Sequence, residues 1–134
     1  MRIHDLNVWA ILAATVSAFV LGGLWYSQML FDKAWKKANG FGDGEPQSAG
    51  GLVFGISFIL CLVMAINLAM FLHDPKTDLI WGATAGFLAG FGWAAMGLGV
   101  VSVFERRPLS YMLINGGYLT LALTVMGAIL GGWR

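Results

Sequence analysis

Charged side chains interrupt this chain at wide intervals, and the apolar runs between them are long. Residues 6–31, 46–72, 79–104 and 108–133 each contain no Asp, Glu, Lys, Arg or His. A helix needs about 20 mostly apolar residues to cross a ~30 Å hydrocarbon core, so every run is long enough for one crossing. Backbone N–H and C=O groups find no water in that core and must pair within the protein. Segments of this length do so as helices, whereas barrel strands are short and alternate in polarity. The pattern therefore predicts an all-α membrane protein. Its four transmembrane helices form a bundle, with spans over 7–27, 51–72, 79–104 and 109–133, and residues 1–134 form one domain.

A different period follows the first run. Between residues 28 and 39, Leu30, Phe31, Ala34, Trp35 and Ala38 share one helical face, while Asp32, Lys33, Lys36 and Lys37 occupy the other. This spacing predicts a short amphipathic helix lying in the headgroup region after the first span. Gly40–Pro46 is rich in turn residues, His73–Asp78 makes a tight second loop, and Glu105-Arg106-Arg107 leads into Pro108 at the start of the fourth span. A signal peptide is the competing reading of the first run. That run continues through Leu24-Trp25-Tyr26, too long and too aromatic for a cleaved leader, so the first span is expected to be retained.

Composition supports the membrane reading. The chain is 58% hydrophobic and 11% charged, with a mean hydropathy of +0.75, against roughly 25% charged residues in a soluble domain. A net charge of +1 supplies no basic field for nucleic acid, which leaves membrane lipids and other membrane proteins as the expected partners. Lys33, Lys36, Lys37, Arg106 and Arg107 fall on one side of the predicted topology, and Arg2, Lys76 and Arg134 on the other. Positive residues favour the cytoplasm, so the first and third loops are expected inside and both termini outside.

Small residues carry the clearest interaction signal. Ala10, Ala14, Ala18 and Gly22 recur at every fourth position, as do Gly82, Gly86 and Gly90, with Gly127 and Gly131 a further pair. Helices in lipid gain little from apolar contact, and small residues allow the close backbone approach that drives association. Such stripes serve packing within one bundle or between copies, and their number points to a homo-oligomer. An offset of 72 residues aligns Trp9, Ala10, Ala14, Ala18 and Gly22 with Trp81, Gly82, Gly86, Gly90 and Ala94, which suggests a repeat between spans one and three.

Reactive chemistry is sparse. Asn67 and Asn115 need partners within the hydrocarbon, as interhelical hydrogen-bond residues or, with mid-span Trp93, as solute contacts. His4, Asp5, His73, Asp74 and Asp78 fall on one predicted side as weak metal-ligand candidates, although their spacing matches no metal motif and helix capping explains the acids equally well. Trp25, Tyr26 and Trp35 fit interfacial anchoring better than a ligand cage. Phosphate-binding, nucleophile-elbow and paired-carboxylate signatures are missing from the sequence, and Cys61 is its single cysteine. The expectation is a protein that is not an enzyme and needs no cofactor.

One family resemblance covers nearly the full length. Gly22-Gly23-Leu24-Trp25-Tyr26-Ser27 with Phe31 and Trp35, the third loop Phe104-Glu105-Arg106-Arg107-Pro108-Leu109, and Leu113–Tyr118 with Val125–Trp133 resemble the bacterial membrane family catalogued as domain of unknown function family 1761. Gln28 stands where the resemblance leads one to expect proline, and Leu119 where many members carry histidine. The resemblance implies a small four-helix protein of the bacterial inner membrane and carries no established activity. The combined expectation is a non-enzymatic, homo-oligomeric interaction or scaffold module. A small channel or transporter for a neutral or lipophilic solute, with its path at the oligomer interface, is the alternative.

Overall fold

A computed structural model describes residues 6–25 and 51–133 of the chain. The predicted headgroup helix over 28–39 lies outside the described residues, as do His4, Asp5, Tyr26 and Trp35. Among the described residues all regular structure is helical: α1 (Val8–Trp25), α2 (Gly51–Phe71), α3 (Leu79–Ala89), a π-helical segment (Gly90–Ala95), α4 (Met96–Phe104) and α5 (Leu109–Gly132). The third crossing is made of α3, the π segment and α4 joined end to end. Four stretches, Val8–Trp25, Phe54–Phe71, Leu79–Phe104 and Leu109–Gly132, are long and apolar enough to cross a bilayer, which makes this a multi-pass membrane protein.

Local chemistry sets the helix ends. Asn7 Oδ1 accepts the Ala10 N–H at 3.2 Å at the start of α1, and Asp78 Oδ1 accepts the Trp81 N–H at 2.8 Å at the start of α3. Each bond satisfies an N–H that the helix itself leaves unpaired. The α4 terminus closes with the Arg107 N–H donating to the Ser102 carbonyl at 2.9 Å and the Arg106 N–H to the Val103 carbonyl at 3.1 Å. That paired arrangement places Arg106 at φ 57°, the left-handed position that glycine usually occupies. Pro108, extended at ψ 156°, then leads directly into α5.

α5 is the central helix, with α1 on one side and the α3–π–α4 crossing along another, while α2 rests mainly on α1. Leu6, Ala10, Ala14 and Ala18 join Cys61, Ala65, Leu68 and Leu72 of the second span and its exit, and Ala122, Leu123, Met126 and Leu130 of α5, in one buried cluster. Phe19 of α1 meets Phe54 and Phe58 of α2 edge to face, with ring centroids 6.2 and 5.7 Å apart. The start of α1, the loop after α2 and the end of α5 come together at one end of the molecule, where Asn7 Nδ2 donates to the Trp133 carbonyl at 3.2 Å.

Candidate functional site

The most intimate surface in the molecule is the seam between the third crossing and α5. A Cβ added to Gly82 would land on the Gly127 carbonyl oxygen, one on Gly86 on the Leu123 carbonyl oxygen, and one on Gly131 on that of Asp78. At Gly90 the added carbon would lie 2.8 Å from Thr120 Cα. These four glycines and Gly127 thus meet main chain of the same polypeptide. Their stripe is buried inside one copy and is not displayed on its outside.

The seam continues beyond Gly90 because the helix changes pitch there. Gly82, Gly86 and Gly90 are separated by four residues, but the next buried small residue is Ala95, five further on, followed by Gly99. A π turn accommodates one residue more than an α turn, so Ala95 takes the inward place that Ala94 would hold in an uninterrupted α-helix. Gly116 faces the Ala95 methyl, 3.2 Å from its own would-be Cβ, and Gly99 faces Met112. Gly22 and Ala94, which the 72-residue offset aligns, are both partly buried. The five-residue step was present in the sequence as a signal for the π turn.

On its other side α5 is tied to α1 by two aromatic side chains. The Tyr118 hydroxyl donates to the Ala18 carbonyl at 2.8 Å, with Gly22 giving it room, and Trp25 Nε1 donates to the Ile114 carbonyl at 2.8 Å with its ring against Gly117. Cys61 of α2 lies within hydrogen-bonding reach of the same Tyr118 side chain. Trp25 is therefore a tether between spans. Trp93, on the π segment, points outward and is 73% exposed to the surroundings.

Polar groups within the spans turn back on their own helices. Thr15, Ser102, Thr120 and Thr124 donate to carbonyls four residues earlier at 2.7–2.8 Å, Asn67 to Val63 at 2.9 Å and Asn115 to Tyr111 at 2.9 Å. Self-bonding of this kind hides a hydroxyl donor from lipid without a neighbouring helix. Asn115 sits partly buried, while Asn67 is exposed on the outer face of α2. His73, Asp74 and Asp78 are exposed in or beside the second loop, where Asp74 Oδ1 accepts the Lys76 N–H at 2.8 Å and Asp78 caps α3. No group of three or more metal-ligating side chains occurs among the described residues. Thr77, which sequence reading passed over, is buried in this loop with its hydroxyl unpartnered.

Two concavities are lined by described residues. One, of about 350 Å³, opens at the end where α1, α2 and α5 meet; Ala10, Ala69, Leu72 and Leu130 floor it, and Asn7 and His73 stand at its rim. The other, of about 400 Å³, is an apolar groove between the π segment and α5, flanked by the stacked rings of Phe87 and Phe91, 5.7 Å apart. It lies halfway along both crossings, where lipid chains would surround it.

A family model described as "Protein of unknown function (DUF1761)" matches residues 9–131, from the first turn of α1 to the end of α5. No curated protein and no solved structure matches the chain. The matched region takes in the α1 tether residue Trp25, the third loop and the whole glycine seam, and on that match the chain belongs to the DUF1761 family.

Proposed function

We propose that this protein is a non-enzymatic interaction or scaffold module of the bacterial cytoplasmic membrane, with both termini outside, and that it assembles with copies of itself through the outer face of α2. One observation carries this reading. Asn67 is exposed on a helix face otherwise made of Ile56, Leu60, Val63 and Met70. Its single hydrogen bond among the described residues uses one N–H, to the Val63 carbonyl, leaving the second N–H and the side-chain oxygen without a partner there. An amide left so in hydrocarbon is costly, and a second Asn67 across a twofold axis supplies both a donor and an acceptor. The glycine seam, used within the chain, is unavailable for this purpose.

The test is crosslinking in native membranes. Val63→Cys, one turn from an intact Asn67 on the same exposed face, should form a dimer with a short bismaleimide in a Cys61→Ala background, and Val103→Cys, on the exposed side of α4, should not. A chain that stays monomeric at Val63→Cys and in native mass spectrometry would refute assembly through this face.

A further inference from the structure

We propose that the cleft at the shared end of α1, α2 and α5 binds a small neutral amphiphile, an alcohol or phenol with an apolar body. Its shape comes from two alanines: Ala10 on α1 and Ala69 on α2 face a space that larger side chains would fill, above a floor of Leu72 and Leu130 that is itself almost fully buried. The volume of about 350 Å³ lies at the small end of ligand sites, which pair apolar walls with a few fixed polar groups.

The rim defines the head group. Asn7 is held in place at both ends of its amide, donating to the Trp133 carbonyl and accepting from the Ala10 N–H, each at 3.2 Å. One amide N–H and one oxygen lone pair remain, so Asn7 can both donate and accept, and the His73 imidazole beside it offers the same two capacities. A hydroxyl group also does both. Among the described residues no Asp, Glu, Lys or Arg lines the cleft, so an ionised head would find no counter-charge among them. The cleft opens where three crossings end, which places the hydroxyl near the headgroups and the body toward the hydrocarbon. The site lies within one copy, on the opposite side of α2 from Asn67, so it stands or falls independently of self-assembly.

The experiment uses the full chain in lipid nanodiscs with a diazirine-bearing octanol, and mass spectrometry to locate the adducts. Saturable labelling concentrated at Leu72-His73 and Leu130–Trp133, suppressed by excess octanol and absent with a diazirine carboxylate of equal length, is the expected result. Ala69→Phe should abolish it by filling the cleft. His73→Leu, at an exposed rim position, should weaken it by about tenfold, the equivalent of one lost hydrogen bond. Labelling that rises without saturation and spreads over outward positions such as Val103 and Phe104 would overturn the proposal. Saturable labelling that is unchanged in His73→Leu, or in an Ala69→Phe protein with wild-type thermal unfolding, would overturn it as well.

Discussion

Glycines in one membrane protein should respond to the same substitution with opposite signs, and Gly86 and Gly97 make the comparison. In Gly86→Ala the new methyl lands on the Leu123 carbonyl oxygen, 2.8 Å from its carbon and 3.1 Å from Thr124 Cα, where ordinary contact begins at 3.4 Å. The obstacle is main chain, which no side-chain rotation can move, so relief requires α3 and α5 to separate. Overpacking of this kind costs about 3 kcal/mol, the upper end for insertions into a packed core. The intrinsic helix preference of alanine over glycine returns about 1 kcal/mol, leaving a net loss of about 2 kcal/mol. At Gly97 a Cβ meets nothing within 4 Å, so only the favourable part remains. Gly97→Ala should stabilise the protein by up to about 1 kcal/mol. Reversible unfolding in mixed micelles, followed by circular dichroism, measures both. Gly82→Ala and Gly127→Ala, whose glycines meet each other, should combine non-additively because one separation of the helices relieves both. The reasoning fails if Gly86→Ala and Gly97→Ala agree within about 0.5 kcal/mol, the ordinary scatter of neutral substitutions. A related consequence is that Gly86→Leu should detach the third crossing from α5 within each copy, which a proteolysis assay on the third loop would register even where crosslinking at Val63→Cys persists.

Three further outcomes follow from the loops. Asp78→Ala removes the side-chain acceptor for the Trp81 N–H and should destabilise by about 1 kcal/mol; an unchanged unfolding curve would show that water caps α3 as well. Arg106→Gly places glycine at φ 57° and should stabilise by about 1 kcal/mol, with a loss of stability counting against a strained Arg106. Thr77→Val keeps the shape and removes a buried hydroxyl with no partner, so it should stabilise by about 1 kcal/mol, and a loss by the same unfolding assay would mean that a water or ligand engages that hydroxyl.

Much of the fold was legible in the chain because a bilayer makes few demands, and makes them strictly. Ions are excluded from the hydrocarbon and its thickness is constant, so the spacing of charged residues marks four crossings directly. Asp78 before an apolar run likewise reads as a cap from sequence, since that role depends only on residues three positions apart. The resemblance at Trp25 and the third loop led to the family that the match over residues 9–131 shows.

The lateral arrangement was not legible, because every face of such a helix is apolar and hydrophobic periodicity no longer says which side is inward. The glycine stripe was visible, but its partner was a matter of tertiary structure: the same spacing suits a second copy or, as found, the backbone of α5. The two tryptophans Trp25 and Trp93 have the same chemistry, yet one is bonded to the Ile114 carbonyl and the other faces outward, since only the path of α5 decides which indole finds an acceptor. The π turn occupies a middle position: its five-residue step from Gly90 to Ala95 is written in the sequence, but it acquires meaning only against the unbroken four-residue rhythm of Thr120, Gly116 and Met112 on the facing helix. The cleft between Ala10, Ala69 and Leu130 joins three segments far apart in the chain, and a void exists only once the helices that surround it have been placed.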